Sequence, residues 1–390
     1  MRIETRVSER VKKIHPSSTL AITSKAKKLK SEGKDVINFA AGEPDFDTPD
    51  AIKEKAIEAI KSGFTKYTPT TGIPELKQLI CAKFKTNSLD YEPNQIVVSS
   101  GAKHSIFNAM LALINAGDEV LIPSPFWVSY PEMVRVCEGI PRFIKTTAEN
   151  NFKLSPQELQ AHISQKTKLL VLNSPSNPTG SVYLKEELQE LAALCVSKKI
   201  FVLSDEIYEN LIYEGLTHVS IGSLGKEIYN LTVTVNGLSK SFSMTGWRIG
   251  YLGAPVDIIE AISKLQDHST SNPCSISQKA AVAALGMSDE FTKFMAEEFQ
   301  KRRDYIANRL QAIKKIRFVM PQGAFYVFCD ISRTKLSSAV FASRLLDEAL
   351  VALIPGDAFG RDDYVRISFA TGLKQIESGM NRIEEWVKCL

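Results

Sequence analysis

In LTVTVNGLSKSFSMTGWRIGY, residues 231–251, an apolar run (231–235) ends in an Asn-Gly-Leu-Ser turn. A single lysine follows at position 240, and Arg248 opens a second apolar run at 249–253. Short apolar runs without polar alternation mark strands covered on both faces. Similar runs recur at 96–99, 119–122, 168–172 and 200–204, most of them separated by amphipathic stretches such as 102–115 and 184–198. This alternation, from about residue 50 to 285, predicts an α/β fold built on a mostly parallel sheet with helices on both faces.

The chain changes character beyond that region. A charged helix is predicted over about 288–314, short strands at 316–320, 324–329 and 364–369, a helix at 338–350 and a closing helix at 373–389. This reads as a smaller α+β unit. The first 45 residues offer one helix (about 18–32) and one short strand (36–40), too little for a domain, and are expected to pack with the C-terminal part.

Composition narrows the class. The 390 residues are 44% hydrophobic and 24% charged, as in a globular protein with ample core. A net charge of +4 with interspersed signs gives no footprint for nucleic acid. No window is long and apolar enough for a membrane span, and the N-terminal MRIETRVSERVKKIHPSS has no apolar secretory core. The six cysteines are scattered without a CxxC pair, which suits reduced cytoplasmic thiols and supports neither a metal site nor a disulfide framework.

Unusual residues gather just past the strands, where such sheets bind ligands. Ser99-Ser100-Gly101-Ala102-Lys103 is a glycine turn before a helix, either an anion site of exposed backbone N–H groups or an ordinary strand–helix turn. Trp127, in SPFWVSY, suits stacking on a planar ring or a place in the core. In NSPSNPTG (173–180) two prolines stiffen a loop that presents Asn177, either as a donor to a phenolate oxygen or in a plain turn. Asp205 ends a run that reads as buried, so its carboxylate needs a cationic partner or a proton. Tyr208, three residues on, leans toward the same place. Arg366, in the strand-like YVRISFATG, needs a bidentate anion, either a substrate carboxylate or an internal acidic residue. A lysine that forms an imine with an aldehyde, an arginine for a phosphate and a carboxylate for a pyridinium N–H together match the needs of pyridoxal 5'-phosphate.

These residues lie in strings that resemble the fold-type I, pyridoxal phosphate-dependent aminotransferases of class I, and most closely their aspartate/prephenate aminotransferase branch. The likeness runs from about residue 8 to the C-terminus through AAGEPDFDTP (40–49), KYTPTTGIPELK (66–77), SPFWVSYPEMV (124–134), NSPSNPTG, SDEIYE (204–209), SKSFSMTGWRIGY (239–251), GAFYVF (323–328) and VRISFATG (365–372). The resemblance implies Lys240 as the Schiff-base lysine and Asp205 as partner of the pyridine nitrogen. Tyr208 and Asn177 would serve the ring oxygen, and Trp127 would stack on the ring. Gly101, Ala102, Ser239 and Arg248 would hold the phosphate, with Tyr67 reaching it from a second subunit of a homodimer with shared active sites. Arg366 and Gly42 would hold the substrate α-carboxylate. A seven-stranded, mostly parallel sheet is implied, with the strand opened by Arg248 running against the rest. The large domain would span 46–285, and a small domain of 1–45 and 286–390 would close over the substrate. Two positions depart from the family's habits: Gly237 stands where relatives often carry a phosphate-binding serine, and His15 where many carry lysine.

In this branch Lys103, with Ser17 and Thr19 beside it, is implied to hold the distal carboxylate of a dicarboxylic substrate. The expected reaction is ping-pong transfer of an amino group between aspartate and 2-oxoglutarate, with amination of prephenate to arogenate as a second activity. The substrates are thus amino acids and 2-oxo acids, with no metal, nucleic acid or membrane involved. An aminotransferase for aromatic or other amino acids, a carbon–sulfur β-lyase on the same fold, and a non-enzymatic regulator are the alternatives.

Overall fold

A computed structural model describes residues 7–15 and 18–390, without the side chains of 18–21. Among the described residues the strands are β1 (Ile37–Asn38), β2 (Ile96–Ser99), β3 (Glu119–Ser124), β4 (Ile140–Lys145), β5 (Thr167–Asn173), β6 (Phe201–Asp205), β7 (Thr232–Gly237), β8 (Gly250–Gly253), β9 (Arg317–Phe318), β10 (Tyr326–Asp330), β11 (Val351–Ala352), β12 (Ile354–Pro355) and β13 (Tyr364–Ser368). Seven form the large sheet in the order β2-β8-β7-β6-β5-β3-β4. All neighbours pair in parallel except at β8, which is antiparallel to both β2 and β7. The expected sheet, including its one reversed strand, is therefore present.

Strand alternation sends side chains into two separate cores. Val120, Ile122, Leu169, Val171 and Leu203 pack with the helices Ala102–Leu113, Ser129–Val136 and Val256–Asp267. Their neighbours Leu121, Leu170, Leu172 and Val202 pack on the other face with Leu188, Leu191 and Cys195 of the helix Lys185–Lys198. Burial on both faces explains why these strands read as continuous apolar runs. A third core joins β2 and Tyr251 of β8 to the helices Asp50–Lys61, Pro74–Thr86 and Ser275–Gly286.

The smaller sheet has the order β12-β13-β10-β9, and β1 pairs in parallel with β11. That pairing ties the N-terminal segment to the C-terminal part. The long helix Glu290–Gln311, the helix Ser338–Ala349 and the closing helix Leu373–Lys388 cover this sheet through a core that includes Phe299, Phe341, Val365 and Ile383. Ile207, Tyr208, Leu211 and Tyr213, from the turn after β6, belong to the same core, so the segment carrying the expected site packs directly against the small sheet.

The expected helices and strands appear within a few residues of their predicted ends. The strand β4 was not expected. It is an edge strand whose side chains are mostly exposed, so IPRFIK carries neither an apolar run nor a clean alternation. The two-residue strands β11 and β12 and the short helix Glu9–Lys12 were also missed. Among the described residues, no helix is long and apolar enough to cross a membrane.

Candidate active site

The carboxyl ends of β2, β3, β5, β6 and β7 face a cleft of about 420 Å³. Ala102, Trp127, Asn173, Asp205 and Lys240 line it from the large sheet, and Gly42, Tyr326, Phe359 and Arg366 from the other side. The site is thus a seam between the two sheets.

Lys240 follows β7 in a tight turn, and its amine donates to the Gly42 carbonyl. Burial pulls the amine down to about 8; Glu43 opposes this, while Arg366 and Arg248 reinforce it. An amine near that value is partly free base at neutral pH, the form in which nitrogen is nucleophilic.

Asp205 closes β6, is buried, and accepts a hydrogen bond from Tyr130 Oη at 2.6 Å and another from the Ile207 N–H at 3.3 Å. Burial pushes its carboxyl up to about 6, against those two bonds. Such a carboxylate is stabilised by a positive N–H donor placed against it. Tyr208 is buried on the same turn, with its hydroxyl 2.9 Å from that of Tyr326.

Gly101 caps the helix Ala102–Leu113 with φ +91°. A Cβ there would overlap the Arg248 guanidinium, so the arginine lies directly over the helix N-terminus. Arg248 itself sits in the left-handed region, φ +56°, just before β8. Its Nη1 donates to the Thr245 carbonyl at 2.8 Å and its Nη2 to the Ser100 carbonyl at 3.3 Å. Backbone N–H groups at a helix N-terminus beneath a guanidinium form an anion cradle. Gly101→Ala is expected to displace Arg248 and strain the turn, costing about 1–3 kcal/mol of stability. Binding of an anion in this cradle should weaken by about tenfold or more, measured by melting temperature and by titration with inorganic phosphate. Gly237, the departure noted above, is tightly packed: a Cβ would lie 3.1 Å from Gly250 Cα and 3.2 Å from the Ile249 carbonyl oxygen.

Arg366, on β13, is buried between the faces of Tyr326 and Phe359, 4.2 and 5.1 Å from their ring centres. Its Nη1 donates to Asn177 Oδ1 at 2.9 Å and its Nη2 to the Ala40 carbonyl at 3.2 Å, while its Nε is buried without a partner. Among the described residues no carboxylate pairs with it, so the internal salt bridge weighed above is not present. A buried cation without an anion is costly, and a ligand carboxylate would answer both the charge and the orphaned N–H.

Lys103 reaches over the Trp127 ring, 4.9 Å from its centre, and burial followed by the nearby Arg248 lowers its pKa. Ser239 is buried beside Lys240 on the cleft wall. Tyr67 is not brought into the cleft of its own chain: it is 91% exposed. Ser17 and the Thr19 side chain lie outside the described residues. His15 meets Glu132, its backbone N–H donating to the carboxylate at 3.0 Å. Tyr130 and Tyr326 were missed. Both lie in quoted strings, SPFWVSY and GAFYVF, but their spacing to Asp205 and Arg366 exists only in three dimensions. Thr245, whose Oγ1 donates to Glu43 at 2.7 Å, was missed for the same reason.

Residues 34–383 match the family model for aminotransferases of class I and II. The chain is 47% identical to an aspartate aminotransferase of Bacillus sp. (strain YM-2), over 98% of this chain and 99% of that one. It is 46% identical to the aspartate/prephenate aminotransferase of Nitrosomonas europaea, over 97% and 98%. Among solved structures, it resembles the aspartate aminotransferase of Rhizobium meliloti with a TM-score of 0.95 at 40% identity, over 98% of this chain and 99% of that one. It also resembles the Thermus thermophilus aspartate aminotransferase solved with maleate, with a TM-score of 0.93 at 41% identity and the same coverage.

Proposed function

Because the chain belongs to the class I and II aminotransferase family, we propose that its cleft holds pyridoxal 5'-phosphate on Lys240 and moves an amino group between aspartate and 2-oxoglutarate. One observation carries this reading most: a lysine amine pulled down to about 8 shares a cleft with a buried aspartate pushed up to about 6 and a buried arginine that has an orphaned Nε and, among the described residues, no acidic partner. The residues fit the cofactor. Asp205 suits a protonated ring nitrogen, the Gly101–Arg248 cradle suits the phosphate, and Trp127 and Tyr208 line the same cleft.

When bound, pyridoxal phosphate supplies an aldehyde and a ring that withdraws electrons from the substrate α-carbon. The chain supplies the rest. Lys240 Nζ, as a free amine, would take the proton from the substrate α-carbon and deliver it to the carbon that came from the cofactor aldehyde, a transfer worth about 10²–10⁴-fold in rate when positioned. Tyr130 orients the Asp205 carboxylate that keeps the ring nitrogen protonated. Arg366 grips the α-carboxylate through its planar fork, with Asn177 bracing the guanidinium. The two-sheet seam supports a small domain, 1–45 and 286–390, that closes on a large one, 46–285, and excludes water. Tyr67, exposed on its own chain, serves the phosphate of a second subunit in a homodimer.

Lys103 gives the dicarboxylate preference its support. It is a further basic side chain in the cleft besides Arg366, set over Trp127, and a structural relative was solved with maleate, a dicarboxylate. Two curated relatives bear the names aspartate and aspartate/prephenate aminotransferase, so prephenate is proposed as a second amino acceptor. Lys103→Ala is expected to lower kcat/KM for aspartate and prephenate by about 10–100-fold, the scale of one charge-assisted bond. Phenylalanine and alanine should be affected little. Equal loss for all four substrates would remove the dicarboxylate assignment.

A further inference from the structure

The turn that carries Asp205 and Tyr208 has a second face. Side chains alternate at the end of β6, so Ser204 and Glu206 point away from Asp205. Glu206 is buried and accepts from Ser204 Oγ at 2.7 Å and Ser220 Oγ at 2.6 Å on one oxygen, and meets His218 Nε2 at 2.9 Å on the other. Glu209, one residue past Tyr208, is also buried; it pairs with Lys83 at 3.0 Å and accepts from the Asn87 amide. The backbone continues the tie: Glu206 N–H donates to Val235 of β7, and Glu209 N–H to the Glu206 carbonyl.

We propose that Glu206 and Glu209 are positioning residues for transamination: from behind, they clamp the 205–209 turn so that Asp205 and Tyr208 stay fixed in the cleft. The two carboxylates bracket the turn, one after each cleft residue, and are anchored to the helix Pro74–Thr86 and to the segment 218–220. Charge supports the clamp. Burial alone would lower the His218 pKa, but the Glu206 carboxylate outweighs it and the net direction is up. Burial likewise opposes ionisation of Glu209, but Lys83 and His218 prevail and its pKa falls. Each carboxylate thus has a basic side chain against it, His218 at Glu206 and Lys83 at Glu209. Glu206, Glu209 and His218 also have the spacing of a metal site, yet Glu209 is already paired with Lys83 at 3.0 Å and Glu206 with His218 at 2.9 Å. A clamp that only stabilised the fold would not need to be placed on the two residues flanking Asp205 and Tyr208 in the turn.

This inference rests on the cleft being a pyridoxal phosphate site. Its test uses the holoenzyme variants Glu206→Gln and Glu209→Gln, with Asp205→Asn as reference and Leu345→Ala, a core truncation at a residue that does not line the cleft, as a stability control. The readouts are visible circular dichroism of the bound cofactor, cofactor dissociation constant, melting temperature, and kcat and KM for aspartate. Removing outer partners of a site's ligands typically costs about 10–100-fold. Both Glu variants are therefore expected to lose about 10-fold or more in kcat with KM nearly unchanged, since Arg366 and Lys103 are untouched, and to diminish the dichroic signal. Leu345→Ala should lower the melting temperature without moving the signal. Should Glu206→Gln fail to fold, His218→Ala, which removes the donor toward Glu206, is expected to show the same split. If Asp205→Asn abolishes the signal while the Glu variants match Leu345→Ala, the clamp is wrong and the site stands. If Asp205→Asn itself leaves signal and kcat intact, the cleft reading fails first. Stoichiometric zinc in the purified protein, lost on Glu209→Gln, would replace the clamp with a metal centre.

Discussion

Lys240→Ala is expected to show no visible absorbance from covalently bound cofactor, and turnover with aspartate and 2-oxoglutarate should fall by at least about 10²–10⁴-fold. That range covers positioned proton transfer alone, and loss of the nucleophile adds to it. The residue occupies the one place where the turn after β7 brings an amine against the Gly42 carbonyl, between the Asp205 and Arg366 sides of the cleft. Its amine is already shifted down to about 8 by burial, which raises the free-base fraction at neutral pH. Lys240→Arg provides the control. It keeps the positive charge, but a guanidinium stays protonated near neutral pH, so it should be as inactive as the alanine variant. Absorbance spectra and half-reactions with aspartate check both. Normal turnover in either variant would move the covalent link elsewhere.

Arg366→Ala is expected to lower kcat/KM by about 30- to 5,000-fold, because breaking a buried, hydrogen-bonded charge pair costs about 2–5 kcal/mol. The loss should be shared by every α-amino acid, since the α-carboxylate is common to all of them. This distinguishes Arg366 from Lys103, whose removal should affect dicarboxylates alone. Cofactor absorbance should persist, because the Gly101–Arg248 cradle and Lys240 remain. Arg366→Lys should recover only part of the activity: an ammonium restores the charge but not the planar fork. Steady-state kinetics over aspartate, glutamate, phenylalanine and alanine check this pattern. A loss confined to aspartate would reassign Arg366 to the distal carboxylate.

The large sheet was legible because its central strands are buried on both faces. The runs at 168–172 and 200–204 carry that burial in plain sequence, and the strand ends they define locate Asp205 and Asn177. The edge strand β4 was not legible, since its side chains face solvent and leave no pattern. The residues of the cleft were legible where chemistry makes a residue odd for its setting, as with Arg366 in an apolar strand or Asp205 at a buried end. Tyr130 and Tyr326 are ordinary aromatics in sequence, and only folding places them against Asp205 and Arg366. The two readings of Arg366, ligand carboxylate or internal salt bridge, could be separated only once the described residues showed no acidic partner within reach.

The central claim is that the Lys240 nitrogen carries the cofactor. The most direct measurement is borohydride reduction of the protein with bound pyridoxal phosphate, followed by proteolysis and peptide mass spectrometry. The account predicts one stable phosphopyridoxyl group, on the Lys240 nitrogen in the peptide spanning Gly237–Met244, and none after prior reaction with excess aspartate. A label fixed to another lysine, or no label at all, would contradict it.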